Sequence, residues 1–191
     1  TLDSPTFSHR GGQQRISGLA TVPGSDLEYY KITYKHQHFF PLSNDFTFRL
    51  LGEVDHAGGY GKTTQLPFFE NYYAGGTNDV RGFMQNTLGP RDSNNRPFGG
   101  TTKGIGKAEL FFPLPFLSEL KSVRVGTFVD GGTLSDSFSM GGLRGNFRYS
   151  VGLSGEWLSP FGALAVSIAH PLNSQPNDLT QAFQFTFGSG F

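Results

Sequence analysis

Apolar and polar residues alternate along most of the chain with a period of two, the spacing of strands whose two faces meet different surroundings. Near the C-terminus, over Gln181 to Phe191, Phe183, Phe185, Phe187 and Phe191 share one parity, and Gln184, Thr186, Gly188 and Gly190 share the other. Just before them Leu164, Val166 and Ile168 oppose Ala165, Ser167 and Ala169. Phe147, Tyr149, Val151, Leu153 and Trp157 alternate with Arg148, Ser150, Gly152, Ser154 and Glu156. Upstream, Val123, Val125, Thr127 and Val129 oppose Arg124, Gly126, Phe128 and Asp130, and Ala108, Leu110 and Phe112 oppose Lys107, Glu109 and Phe111. In the first third Phe46, Phe48, Leu50 and Val54 oppose Thr47, Arg49, Glu53 and Asp55. Tyr30, Ile32 and Tyr34 oppose Lys31, Thr33 and Lys35, and a weaker set places Ile16, Gly18, Ala20 and Val22 against Arg15, Ser17 and Thr21. The pattern predicts about eight strands of the ~9–11 residues that a tilted membrane-crossing strand needs.

One face of these strands is apolar with aromatics toward its ends, and the other is small, polar or charged. That combination predicts an all-β fold, an antiparallel transmembrane β-barrel with lipid outside and a wet interior. The alternative is a soluble sandwich or lipocalin-like barrel, in which Arg49, Glu53 and Asp55 would face bulk water. The girdle-placed aromatics and the lack of a Lys/Glu-rich solvent face count against it. Short connections at 41–45, 113–122 and 159–162 alternate with longer ones, above all 61–103, a stretch of roughly 40 residues and far beyond the usual link. In outer-membrane barrels short turns are periplasmic and long loops extracellular, so the long loop is expected outside the cell.

Composition fits this picture. Charged residues make up 16% of the 191 and aromatics 15%, with 20 Phe and 27 Gly. Soluble domains carry about 25% charge. Mean hydropathy is −0.30, and no run approaches the ~18 apolar residues of a membrane helix, yet alternating strands average to such a value while presenting a greasy band. Lys+Arg and Asp+Glu both number 15, which leaves no basic footprint for nucleic acid. The absence of Cys excludes a disulfide framework and thiol catalysis. The chain opens on Thr1-Leu2-Asp3 without Met or signal segment, as expected of a mature or truncated fragment.

The long loop holds the densest sequence, Pro67-Phe68-Phe69-Glu70-Asn71-Tyr72-Tyr73-Ala74-Gly75-Gly76, then Val80-Arg81-Gly82-Phe83. Aromatics crowded into a loop recover no burial energy in water, so this one is expected to fold back onto protein. Two readings of Arg81 stand side by side. Its guanidinium either grips lumen carboxylates, for which Glu109 and Asp130 have the inward parity on neighbouring strands, or caps a surface turn and points at water. Gly82 would let the backbone approach the wall and Phe83 would wedge against it.

Tyr72-Tyr73-Ala74-Gly75-Gly76 leading into Val80-Arg81-Gly82-Phe83 and Asn86-Thr87-Leu88-Gly89-Pro90 resembles the sixth-loop signature of the BamA family of outer-membrane protein assembly factors. Pro23-Gly24-Ser25 with Glu28-Tyr29-Tyr30-Lys31, Phe112-Pro113-Leu114-Pro115-Phe116, Phe128-Val129-Asp130-Gly131-Gly132, Trp157-Leu158-Ser159-Pro160-Phe161-Gly162 and Phe183-Gln184-Phe185 extend the likeness over the whole chain. The resemblance implies a loop arginine, Arg81, held by two lumen acids, Glu109 and Asp130. It implies an aromatic C-terminal signal at Phe187 and Phe191, and a place in the bacterial outer membrane. It also implies a role in folding and inserting nascent β-barrel proteins, with outer-membrane lipid and assembly lipoproteins as the parent protein's partners. Members carry POTRA domains and sixteen strands, so this chain looks like the C-terminal part of the barrel, residues 1–191, with POTRA domains and N-terminal strands absent. Eight strands then either close on themselves or pair edge to edge in a homodimer. The alternatives are a same-superfamily secretion pore and an unrelated small outer-membrane barrel.

Enzymatic chemistry is not expected. Ser/His/Asp spacing, a Walker loop and HExxH are all missing, and Glu53/Asp55 fit lumen hydration better than acid–base work. His36 and His38 share a face with Tyr34 and Phe40, which suits a polar-aromatic membrane boundary better than a metal, and His9, His56 and His170 show no partner group. No cofactor is expected.

Overall fold

In the computed structural model, residues 1–4, 7–112 and 122–188 are described, so Phe191 and nearly all of the link expected over 113–122 lie outside them. The alternating segments form one antiparallel sheet from β1 (Gly11–Ala20), β2 (Tyr29–Pro41), β3 (Thr47–Gly59), β5 (Thr102–Phe112), β6 (Val123–Ser135), β7 (Arg148–Ser159), β8 (Gly162–Pro171) and β10 (Phe183–Gly188). Two short strands, β4 (Gly82–Phe83) and β9 (Thr180–Gln181), pair with each other outside it. Every long strand neighbours the next in sequence, leaving β1 and β10 as the two edges. The long loop also holds a 3-10 turn at Phe68–Glu70, and the β6–β7 connection a one-and-a-half-turn helix, α1 (Met140–Gly145), capped by Ser139 accepting from the Gly142 amide at 3.2 Å.

Turn chemistry explains the short links. Pro41 closes β2, where a missing amide donor is harmless. The Ser43 hydroxyl then accepts from the Asp45 and Phe46 amides at 3.2 and 3.1 Å, folding the chain into β3. Gly162, at φ +137°, opens β8 after the turn from β7.

Burial runs opposite to that of a soluble protein. On one face Arg49, Lys103, Lys107, Glu109, Arg124, Asp130, Arg148 and Glu156 are buried, while Ile32, Leu50, Val54, Val129, Leu153, Ile168, Phe183, Phe185 and Phe187 on the other are exposed. Charged side chains are almost never so enclosed unless paired, and an apolar face this extensive requires an apolar surrounding. Outward aromatics collect toward the ends, Tyr30 beside His56 and Phe147 beside Tyr149 at one, Phe40 beside Phe48 and Phe46 beside Phe112 at the other. The polar face is concave. A cavity of about 660 Å³ is lined by Gln13 of β1, Lys35 of β2, Glu53 of β3, Glu156 of β7, Ser167 of β8 and Thr186 of β10.

The structure departs from the pattern-based expectation in three places. The terminal alternation was expected to form one strand from Gln181, but Thr180–Gln181 leave the sheet and pair with Gly82–Phe83, because the docked loop offers backbone partners there. The expected loop boundary at 103 falls inside β5, where Lys103 pairs with Asp55 in register. Phe68 and Phe69, expected to fold back onto protein, stay 63% and 60% exposed and pack on each other, with Phe98 stacked on Phe68.

Candidate functional site: the docked loop

Strand register prepares the receiving surface. Lys107 on β5 lies opposite Asp130 on β6, so Glu109, two residues on, is the diagonal neighbour of Asp130 on the same concave face. Glu109 is 1% exposed and Asp130 0%. Two enclosed carboxylates side by side demand cations, since an unpaired buried charge is costly.

Arg81 meets that demand from the loop between β3 and β5. Its Nε and Nη2 donate to the two oxygens of Asp130 at 2.6 and 2.7 Å, a two-pronged contact matched to the planar fork of guanidinium. Nη2 also pairs with Glu109 at 2.6 Å, and the backbone amide of Arg81 donates to Asp130 at 3.1 Å. The guanidinium carbon stands 3.5 Å from the centroid of the Phe128 ring, a cation–π contact shielded from water, and Arg81 itself is 6% exposed. Arg49 of β3 holds the second oxygen of Glu109, so that carboxylate is shared by two arginines.

Around this centre the loop is packed and bonded at several further points. Val80 and Phe83 are fully buried in a cluster with Ala74, Leu88, Ile105 and Leu134, the main apolar core. Gly132 makes room for Val80, because a Cβ there would lie 2.6 Å from the valine Cγ2. Gly82 adopts φ +88° against β8, where its own Cβ would meet the Ala169 methyl at 3.1 Å. Lys107 donates to the Thr77 carbonyl at 2.9 Å. Lys103 bridges Glu53, Asp55 and Asp79 at 2.7, 3.1 and 3.6 Å, tying the residues just before Val80 to β3 and β5. At the base of the loop Lys31 of β2 bonds Glu70 at 3.2 Å and lies over the Tyr72 ring. Glu28 accepts from the amides of Gly24 at 2.6 Å and Lys62 at 2.7 Å, and these bonds hold its carboxyl below the usual carboxylate range.

The structure thus brings Arg81 together with Glu109 and Asp130, and Val80, Gly82 and Phe83 to the concave wall. Phe187 lies elsewhere, on the exposed convex face of β10. His36 and His38 stack on each other on that face of β2, with Phe40 against His38. Among the described residues no cluster of three or more His, Cys, Asp or Glu is placed to hold a metal. The expectation that His9 and His56 lack partners is corrected: His9 meets the Thr47 hydroxyl at 2.9 Å, and His56 meets Thr102 at 2.9 Å and Tyr30 at 3.2 Å. Sequence reading also missed Arg49, Lys103, Thr77 and Gln184. Inward parity marks Arg49, Lys103 and Gln184, but no local pattern names the partner of Arg49 on β5 or the loop partners of Lys103 and Gln184.

The Omp85 superfamily domain matches residues 1–191. The chain belongs to the Omp85 superfamily. Its relatives in the superfamily include the outer membrane protein assembly factor BamA of Neisseria meningitidis, 38% identical over 99% of this chain and 27% of that protein. The sorting assembly machinery 50 kDa subunit of Saccharomyces cerevisiae is 30% identical over 78% of this chain and 33% of its own length. The crystal structure of Haemophilus ducreyi BamA lacking POTRA domains 1–3 superposes with a TM-score of 0.90 at 28% identity, covering 99% of this chain and 40% of that one. This Omp85 domain therefore spans well under half the length of each.

Proposed function

We propose that this Omp85 domain acts in BamA-type machinery that folds and inserts β-barrel proteins into the bacterial outer membrane. The observation that carries the reading is the 38% identity to an outer membrane protein assembly factor across 99% of the chain. The inverted burial supports it, because a convex face of Leu, Val, Ile and Phe suits lipid and a concave face of paired charges suits a hydrated lumen. On this reading the eight strands are the C-terminal part of a larger antiparallel barrel, with the loop over 60–101 entering its lumen from the external side. Arg81, Glu109 and Asp130 lock that loop. Nascent β-barrel proteins, outer-membrane lipid and assembly lipoproteins are the partners, and no covalent chemistry is required.

An unpaired strand edge in hydrocarbon leaves backbone amides and carbonyls without partners, at several kcal/mol each by the usual order-of-magnitude figure. An incoming strand is thereby driven to pair with such an edge. The edges β1 and β10 are met by further strands of the parent barrel, or by a second copy joined edge to edge when the fragment stands alone, and a monomeric mass in detergent would refute the dimer. The assembly reading is tested with the full-length protein in liposomes, following protease protection of a client barrel. Arg81→Ala is expected to slow client insertion several-fold. An unchanged rate refutes the role of the lock. The polar cavity favours a second reading, a secretion pore of the same superfamily, which predicts delivery of a soluble partner across the bilayer instead of insertion.

A further inference from the structure

One group on the concave face of β10 is spent entirely on the loop. Gln184 is 4% exposed, and its side-chain amide is used at both ends. Its Oε1 accepts from the Gly82 amide at 3.2 Å and its Nε2 donates to the Phe83 carbonyl at 2.7 Å. It thus mimics a backbone strand alongside β4, on the face opposite to the outward Phe183, Phe185 and Phe187. Two residues on, Thr186 donates to the Thr77 hydroxyl at 3.0 Å. Thr77 in turn receives Lys107 of β5 through its carbonyl.

These bonds make the loop a strut across the concave face. One foot stands on β5 and β6 through Arg81, Glu109, Asp130 and Lys107, and the other on β10 through Gln184 and Thr186. In sheet order β7 and β8 separate β6 from β10. Within this sheet the ladder bonds of β10 run to β8 alone, where Gln184 lies opposite Ser167, and in the parent barrel its other edge would form the seam with a further strand. Edge strands with few partners open at lower free energy than central ones. Inward bonds from a docked loop are then a large share of what keeps β10 in place.

We propose that Gln184 is a positioning residue that couples the docked Val80-Arg81-Gly82-Phe83 loop to the terminal strand, so that the Arg81 lock holds β10 in register and its release frees that edge to open. The coupling deepens the proposed assembly role, because it names the element that the lock controls, but the bonds themselves do not depend on that role.

The test measures hydrogen exchange of residues 180–188 in the full-length protein in lipid nanodiscs, with β7 as the internal control. Gln184→Leu keeps the size of the side chain and removes both bonds. It is expected to speed exchange in β10 about tenfold or more, on the order of one to two ordinary hydrogen bonds, and to leave β7 unchanged. Arg81→Ala is expected to do the same at a distance, and the double variant to exchange no faster than the faster single one, because both break one strut. These 191 residues hold no Cys, so with any Cys elsewhere in the full-length protein replaced by Ser, Thr77→Cys with Thr186→Cys can be oxidised to a tether, which is expected to restore slow exchange in the Gln184→Leu background. If Gln184→Leu fails to insert, Gln184→Asn, one methylene shorter, replaces it and is expected to give a smaller acceleration. Unchanged β10 exchange in the variant, additive effects in the double variant, or fast exchange despite the tether would each overturn the coupling. Client insertion is followed on the same samples. Faster exchange with normal insertion upholds the coupling and refutes the assembly role of the lock, while slow insertion with unchanged exchange does the reverse.

Discussion

Truncating Arg81 to Ala removes one cation from two enclosed acids, and the geometry sets the size of the effect. Glu109 keeps Arg49, so its charge remains compensated. Asp130 loses both prongs of its guanidinium contact and keeps the Arg81 backbone amide, with Lys107 opposite in register. Breaking a buried pair by removing one partner costs about 3–5 kcal/mol. The lower end, about 3 kcal/mol, applies here because Arg81 lines the polar cavity, which is large enough for water to reach the vacated site. At about 1.4 kcal/mol per tenfold, local opening of residues 76–90 should become roughly a hundredfold more frequent. Hydrogen exchange of that segment in detergent reads the change directly, and limited proteolysis reads it as faster cleavage. Arg81→Lys should fall between wild type and Arg81→Ala, since an ammonium keeps the charge but loses the planar fork. Adding Asp130→Asn to Arg81→Ala should recover part of the loss by deleting the stranded charge. Exchange unchanged in Arg81→Ala, or a double variant worse than the single, would refute the account.

Three further outcomes follow from the same structure. Gly82→Ala should weaken loop docking by about 1–3 kcal/mol, because it forces a side chain into φ +88° and against Ala169, and earlier thermal unfolding of the loop checks it. Glu28 has a depressed carboxyl, so its tie between Gly24 and Lys62 is present above the ordinary carboxylate range and is lost as pH falls through the lowered value. Exchange of residues 60–63 should rise with acid in wild type and show no such acid step in Glu28→Gln. Leu153→Arg, on the convex face where Leu153 is 58% exposed, should destabilise the protein in a bilayer by about 2–4 kcal/mol. Measured by reversible unfolding from liposomes, no cost there would refute lipid contact.

Much of this architecture is legible in the one-dimensional pattern. A period of two assigns each side chain to a face without any knowledge of partners, so Glu109 and Asp130 share the inward face of adjoining strands from parity alone. The same logic places Leu153 and Phe185 outward. Strand ends read less well, because they depend on what the neighbouring loop offers: Gln181, read as the start of the terminal strand, pairs with Gly82 in the docked loop instead. The exposed Phe68 and Phe69 show the limit of composition as a guide, since an aromatic run says that burial would be favourable and not that a surface is within reach.

Taken alone, then, the sequence determined the eight long strands of the sheet, its two-faced character and the residues available to a loop arginine, because these depend on local periodicity and residue type, whereas the short β4–β9 pair was not legible in it. Only tertiary structure decided that Arg81 grips Asp130 with both prongs while sharing Glu109 with Arg49, and that Gln184 ties the loop to the last strand. Such contacts join residues as far apart as Gly82 and Gln184. Nothing in either neighbourhood encodes the other. What brings them together is the curvature of the sheet, which turns distant strands toward one cavity and gives a long loop several walls to bind at once.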